Sequence, residues 1–405
     1  MLFTPANIGP VTLRNRTIRS AAFEGMGCNN DPTPMLRDYH FSVADGGVGM
    51  TTLAYAGICR SALSFDTQLW LRPEIINPLR EITDGIHQRG AKASIQIGHC
   101  GNMTHIATAG GIPVAPNTGF NLYSPTICRR LRKDELTTLA RQFGEAVNTA
   151  RDAGFDCVEV HAGHGYLISQ FLSPYTNHRH DEFGGSLDNR MRFMRMCLEE
   201  VMKQAGSDMG VIVKTNMRDG FKGGLEIEDC LTVAKEIEQL GAHAIVLSGG
   251  FVSKAPMYVM RGEMPIYTMT HYMKKLWLKY GVRMAGKYMI KSEPFKPLYF
   301  LDDAKVFRKE LSLPLIYVGG VIDRPGAEKV LDEGFEFIQM GRALLNEPDF
   351  VNKMKEEQSY RCGCDHVNYC IARMYSREMA CHKHLTEPLP PAIQREIAKI
   401  KQRNP

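Results

Sequence analysis

One loop holds three side chains whose types and spacing suit the handling of charge and protons. They are His161, His164 and Tyr166, an H-x-x-H-x-Y pattern within "HAGHGY". Two imidazole N–H groups can hold an oxygen as it gains negative charge. A phenol, with an ordinary pKa of about 10, stays protonated at neutral pH and can give that proton away. The pattern follows directly on "CVEV", a short β-branched and apolar run, so it lies in a loop leaving a buried strand. Taken alone, H-x-x-H is also compatible with zinc, but the tyrosine and the strand context favour catalysis. Further on, "NHRHDEFGGS" carries charges that can pin the loop by ion pairs, and its Gly-Gly-Ser end can cap a helix beginning near Leu187. That stretch reads as structural.

What must position these groups is a regular alternation of strand and helix. Strands are expected at 17–21, 48–55, 92–99, 157–163, 211–216, 244–250, 315–321 and 337–343. Helical patterns lie between them, such as "LTTLARQFGEAVNTARDAG" (136–154), "EIEDCLTVAKEIEQLG" and "RPGAEKVLDEG", each closed by a glycine just before a strand. Eight such units imply a (β/α)8 TIM barrel. An open doubly wound sheet would show a glycine-rich turn after its first strand, and "SAAFEG" is not one. Between "VLSGGF" and "LIYVGG" lie about 65 residues rich in Met, Tyr and Lys, too long for a structureless loop. They read as a helical lid insertion, 251–312, over the mouth of a barrel spanning 1–354. Their basic, aromatic character would also suit a membrane surface. Residues 355–405 read as a cysteine-containing C-terminal extension.

In a barrel, chemistry belongs at the C-terminal ends of the strands. Those ends hold Ser20 to Glu24, Ala54 to Ala56, Gln96 with His99, Lys214, and Ser248 to Gly250, besides the H-x-x-H-x-Y group. The last two carry Gly319 with Gly320 and Gly341 with Arg342, each leading into a helix. Glycines let backbone N–H groups approach a phosphate, and an arginine can fork onto its oxygens. Lys214 among β-branched residues and Gln96 between isoleucines are costly unless each meets a partner. A planar, acceptor-rich ligand with an anionic reduced form would serve both, and a flavin is such a ligand.

Composition excludes several classes. The 405 residues hold 49 Lys plus Arg against 44 Asp plus Glu, an excess too small to imply nucleic-acid binding. No apolar run reaches the length of a membrane span, and "MLFTPANIGP" lacks the marks of a signal peptide, so a cytoplasmic location is expected. Eleven cysteines, an odd number in a long chain, argue against a disulfide framework.

The block "HAGHGYLISQFLSPYTNHRHDEFGGSLDNRMRF" is closely similar to the signature of the Old Yellow Enzyme family of FMN-dependent ene-reductases. The opening "LFTPANIGPVTLRNRTIRSA", the "IQIGHCG" strand and the closing "VGGV" and "GFEFIQMGRALLNEPDF" resemble the same family, in order over residues 1–354. The resemblance implies FMN on a (β/α)8 barrel, reduced by NADH or NADPH, which leaves before the second substrate binds. It implies that Ser20, Ala21, Ala22 and Ala54 line the flavin, and that Gln96 bonds its pyrimidine edge. Lys214 would stabilise the reduced N1/O2 locus, and Gly319, Gly320, Gly341 and Arg342 would hold the phosphate. His161 and His164 would bind the carbonyl oxygen of an α,β-unsaturated substrate, His161 would also line the cofactor, and Tyr166 would be the proton donor.

Two departures from the family stand out. Where better-known members carry a redox-tuning cysteine or threonine, this chain has Ala22 or Phe23, and Glu24 beside them has no evident role. Some relatives, such as the 2,4-dienoyl-CoA reductases, hold an iron–sulfur cluster near the C-terminus. Here Cys362, Cys364, Cys370 and Cys381 resemble that region, with Val367 where a further cysteine is expected. A metal or cluster there is not favoured over buried and free thiols. With the chain ending at Pro405, a stand-alone ene-reductase receiving hydride directly is expected. Met257, Tyr258, Met260, Met264 and Tyr267 in the lid suggest a large apolar enone such as a steroid. A homo-oligomer is compatible with the sequence. The competing readings are a dienoyl-CoA-reductase-like or amine-dehydrogenase-like flavoenzyme with a cluster, a flavin-free aldolase or isomerase, and a membrane-associated binding protein.

Overall fold

All eight expected strands form, and they close into one parallel barrel in the computed structural model, which describes residues 1–122, 124–273 and 275–403. We number them β1 (Thr17–Arg19), β2 (Met50–Gly57), β3 (Lys92–Gly98), β4 (Cys157–His161), β5 (Gly210–Asn216), β6 (Ala244–Ser248), β7 (Leu315–Val318) and β8 (Phe337–Met340). Each pairs with the next, and β8 pairs with β1 to close the ring. Several strands end two or three residues before the expected boundary. For β6 and β7 the reason is backbone geometry: Gly250, Gly319 and Gly320 have φ of +97°, +138° and +73°, which no strand accommodates.

The side-chain alternation of the strands divides the barrel interior into two storeys. Below, Ile18, Met50, Cys157, Ile212, Val246, Ile316 and Phe337 form a closed apolar cluster. An N-terminal hairpin, Ala6–Ile8 with Val11–Leu13, plugs that end by adding Ile8, Val11 and Leu13 to the cluster. Above, the same alternation delivers Gln96, Glu159, Lys214 and Gln339, all buried and all polar. Residues facing outward, such as Val158 and Val160, join the larger core between strands and helices. The amphipathic helices Lys133–Asp152 and Leu187–Ala205 supply much of its other side.

The expected cap at Ser186 is present: its hydroxyl accepts from the Asn189 N–H at 3.3 Å, at the start of helix Leu187–Ala205. The charged loop before it is pinned by Arg179 and Arg130, which both reach Asp181 (2.6 and 2.7 Å), and by Lys133 on Glu182 (2.8 Å). A small sheet of Val114–Ala115, Gly119–Asn121 and Thr126–Arg130 follows β3 and was not anticipated. Its strands are too short for their alternation to register.

Beyond β6 the chain forms three helices outside the barrel, Pro256–Met260, Ile266–His271 and Leu276–Met289. The next helix, Leu301–Glu310, packs on β7 and on helix Ile227–Gln239, so it belongs to the outer ring rather than to the inserted segment. The inserted helices pack with the C-terminal extension into one cap. Met257, Met264, Ile266 and Met269 share a core with Cys370, Ile371 and Met379. A second core joins Val367 and Tyr369 to Ile393, Ile397 and Ile400 of helix Pro391–Arg403. Met257 and Met264 are therefore used in packing the cap rather than offered to a substrate.

Glu396 ties the two parts together by accepting from the backbone N–H groups of Tyr267 and Thr268 (both 2.8 Å) and from the Thr268 hydroxyl (2.7 Å). It does for helix Ile266–His271 what an N-cap does, but from a distant helix. Replacing it leaves three donors unmet. Glu396→Ala is expected to weaken the cap locally by about 2 kcal/mol. Limited proteolysis should then cut faster within 256–300, while the barrel's thermal midpoint barely moves.

Candidate active site

The polar storey is organised by Glu159 on β4. Its Oε1 accepts from Gln96 Nε2 (2.6 Å) and Lys214 Nζ (2.8 Å), and its Oε2 accepts from Gln339 Nε2 (2.7 Å). Gln339 Oε1 in turn accepts from the Ser20 hydroxyl at 3.1 Å. One buried carboxylate thus gathers side chains from β1, β3, β5 and β8. Ser20, Gln96 and Lys214 are indeed brought together, through a residue that sequence reasoning passed over as part of an apolar run. The available signal was a single acid between Val158 and Val160, two residues before His161 and so on the same face of the strand.

The H-x-x-H-x-Y group stands just above. His164 and Gly165 take φ of +60° and +82°, a left-handed turn that folds both rings and the phenol back over the barrel. Asn216 at the end of β5 holds the turn by accepting from the His164 N–H (3.0 Å). A Cβ at Gly165 would come within 2.6 Å of the Phe251 ring, so glycine is required there. His161 Nδ1 accepts from the Gly163 N–H (3.3 Å), which assigns the proton to Nε2, facing His164 Nδ1 at 3.3 Å. His164 Nε2 then carries its proton toward the Ser248 hydroxyl at 2.7 Å.

Burial pushes His161 well below the usual histidine range, and burial with nearby Lys214 pushes His164 down to about 3. Both are neutral N–H donors at physiological pH. Burial holds the Tyr166 phenol above its usual value, so it keeps its proton. Tyr166 lies 4.5 Å from the His161 ring and 5.1 Å from Tyr55, centroid to centroid. Phe23 stacks on Phe65 at 4.8 Å, and Tyr375 from the C-terminal extension meets Phe65 edge-on at 6.5 Å.

Glu24 acquires a role. It pairs with Arg19 at 2.6 Å and His40 at 3.2 Å, and accepts from the Ala54 N–H at 3.0 Å. Burial alone would raise its pKa, but Arg19 and His40 outweigh that and hold it below the usual carboxylate range. The ladder between β2 and β3 shifts register between Leu53 and Ala56, and Glu24 satisfies the backbone there. Ala21 and Ala22 are half-buried at the end of β1, and Ala54 is buried at that register shift.

The remaining expected cofactor residues collect on the other side of the mouth. Gly341 lies beside Ser20 and Ala22, with room for a Cβ at 3.8 Å or more. Arg342 donates to Asn368 Oδ1 (2.7 Å) and lies 5.6 Å over the Phe295 ring, which stacks on His366. These groups fit a flavin mononucleotide. The Gln96 amide uses its N–H on Glu159 while its carbonyl oxygen has no described partner, Lys214 offers a cation beside it, and Arg342 offers a guanidinium for a phosphate, while the Gly319–Gly320 turn packs closely on Leu298, Tyr299 and Phe300.

The four C-terminal thiols are not assembled as a ligand set. Among the described residues no three His, Cys, Asp or Glu side chains converge as metal donors. Cys381 donates to Asn346 Oδ1 at 3.1 Å, Cys362 is buried near the Ala343 carbonyl, and Val367 belongs to the apolar core under helix Pro391–Arg403.

Known proteins resemble this chain in sequence and in fold. The NADH:flavin oxidoreductase / NADH oxidase family model matches residues 1–288. A 4,4'-dithiodibutanoate disulfide reductase of Rhodococcus erythropolis is 37% identical over 93% of this chain and 93% of its own. The chain spans about half the length of three further curated relatives. Among solved structures, an old yellow enzyme homologue from Zymomonas mobilis superposes with TM-score 0.73 at 24% identity, covering 96% of this chain and 99% of that one. A 2-naphthoyl-CoA reductase gives TM-score 0.80 at 22% identity, over 98% of this chain and 58% of that one. These two likenesses speak to the fold.

Removing one member of a buried ion pair strands the other, at a cost of about 3–5 kcal/mol. Glu159→Gln is expected to destabilise the protein on that scale, read by urea unfolding, and to weaken FMN retention on a desalting column.

Proposed function

This chain belongs to the NADH:flavin oxidoreductase / NADH oxidase family, and on that premise we propose that it reduces the C=C bond of an α,β-unsaturated carbonyl compound with electrons from NADH or NADPH. The observation that carries the reading is the convergence of two neutral imidazoles and a protonated phenol on the mouth, above the Glu159 network. Bound FMN would supply the hydride for the β-carbon. Gln96 and Lys214 would hold its pyrimidine side, Ser20, Ala21, Ala22 and Ala54 would line its ring, and Gly319, Gly320, Gly341 and Arg342 would hold its phosphate.

The protein's own groups do the rest. His161 and His164 would turn their N–H groups from His164 Nδ1 and Ser248 to the substrate carbonyl oxygen, and as charge develops there those dipoles would stabilise it without a proton having to move. Tyr166 then passes its phenolic proton to the α-carbon. The aromatic lining from Phe23, Tyr55, Phe65 and Tyr375 suits an apolar substrate, of which a steroid-like enone is one case. Eleven thiols and no disulfide among the described residues suit a cytoplasmic, reducing setting.

A second reading has its own support in the match to the disulfide reductase, which extends over nearly the full length of both chains. Two electrons and two protons convert an organic disulfide to two thiols, and Tyr166 could protonate the departing thiolate. Anaerobic titration separates these readings. The flavin spectrum, bleached by NADPH or NADH, is expected to return on adding cyclohexenone; return only with 4,4'-dithiodibutanoate, with thiol release, would select the disulfide. Iron and sulfide analysis tests the reading with a cluster.

Tyr166→Phe should slow reoxidation by an enone about 100-fold or more while leaving reduction by NAD(P)H unchanged. The two histidines lie below their usual pKa of about 6.5 and the tyrosine above its usual value of about 10. None of the three therefore titrates in between, and the reoxidation rate is expected to be flat from about pH 6 to pH 9 in stopped-flow measurements.

A further inference from the structure

The cap helix Leu276–Met289 is apolar on two sides. Its inner side is small: a Cβ added at Gly286 would lie 3.0 Å from Ile266, with Val282 beside it. Its outer side carries Trp277, Tyr280, Met284 and Tyr288, spaced to share one face, and they are 67%, 57%, 80% and 85% exposed. Leu276 and Met289 extend the stripe at either end, both exposed. An apolar face of a helix is normally covered. This helix has cover on one side only. A second exposed apolar group, Ile106, Phe120, Leu122 and Ile127, begins next to His105, whose pKa burial and then nearby Lys275 depress.

Charge indicates what covers the stripe. From Met264 to Ser292 the sequence holds six Lys and Arg residues and no Asp or Glu. Arg283 bonds the Thr270 hydroxyl (2.9 Å) and Lys279 the His271 carbonyl (3.1 Å), so these two stiffen the cap. Lys275, Lys287 and Lys291 are exposed and have no ion pair with a described residue. A second copy of the chain would bring like charges together on this face. Exposed Trp and Tyr beside an apolar stripe, rimmed by unpaired lysines, are instead the composition of a helix lying in a lipid interface. No helix among the described residues is long and apolar enough to cross a membrane.

We propose that this face docks peripherally on an anionic lipid bilayer, with Trp277, Met284 and Tyr288 at the headgroup–acyl boundary and Lys275, Lys287 and Lys291 against lipid phosphates. Docking of this kind is independent of the redox chemistry below it.

The test is flotation of the FMN-loaded protein with vesicles rich in phosphatidylglycerol, against vesicles of phosphatidylcholine alone. Binding to the first, with a blue shift of Trp277 emission and release at high salt, is expected. Each lysine near an anionic surface is worth about fivefold in partitioning. Replacing Lys275, Lys287 and Lys291 with Gln should therefore lower it roughly 100-fold, and Trp277→Ser with Tyr288→Ser should abolish the emission shift and most binding. All five positions are exposed, so these variants should keep the parent's flavin spectrum and thermal midpoint, which confirms that they fold. No binding by the parent protein, or binding equal on both vesicle types and unchanged in the variants, would overturn the proposal. So would sedimentation showing a dimer that the same serine substitutions dissociate, because the stripe would then be covered by a second copy.

Discussion

A carboxylate inside a β-barrel is expensive. Moving an ion out of water costs several kcal/mol even after relaxation, and Glu159 sits in a strand with no solvent contact. What offsets that cost is the set of three donors from Gln96, Lys214 and Gln339, each worth about 1.5–3 kcal/mol when bonded to a charge. The two sums are of similar size, so the network adds little net stability. Its consequence is positional. Each of the three long side chains has many rotamers, and the shared carboxylate selects the one that points inward and upward. The apolar plug below fixes the height at which this happens, because Cys157 and Ile212 fill the level beneath Glu159 and Lys214.

The mouth above is completed by parts of the chain remote from the barrel. The extension contributes Asn368, which accepts from Arg342 and donates to the carbonyl oxygens of Arg261 (2.7 Å) and Glu263 (3.1 Å). One side chain so joins barrel, insertion and extension. On the opposite rim the N–H of Met379 donates to the Glu24 carbonyl at 2.6 Å, which brings the extension against the loop after β1. The Ala22–Phe23 position after β1 is thus enclosed by the C-terminal segment and by the Phe23–Phe65 stack, without a polar side chain of its own.

Much of this was legible in the sequence, for identifiable reasons. The strands announced themselves because a strand buried on both sides reads as a short, largely apolar or β-branched run. The Ser186 cap was legible because capping is local. The histidine pair and tyrosine were legible because one turn carries all three. Glu159, Glu24 and Asn368 were not, because the value of each comes from partners tens to hundreds of residues away. Gln96 and Lys214 were correctly read as needing an anion or an acceptor. The chain turns out to supply one itself, which alone would explain both residues. What Glu159 leaves over for a flavin is the Gln96 oxygen, with Arg342 at the rim.

In the proposed reduction of an enone, the same residues would divide the handling of charge between them. A protonated imidazole over the barrel would stand close to the Lys214 ammonium, and that repulsion, added to burial, keeps both histidines neutral. Neutral N–H groups can stabilise a developing oxyanion but cannot quench it by proton transfer, so the proton must come from elsewhere. Tyr166 is the group in this turn that carries a proton through the whole neutral range. Lys214, held by Glu159, is a cation that never has to move. In that reading a division of labour between static charge, fixed dipoles and one mobile proton would follow from placing a paired lysine beneath two buried histidines. Loss of Glu159 would unbalance it, because the Lys214 ammonium would be left buried without its counterion.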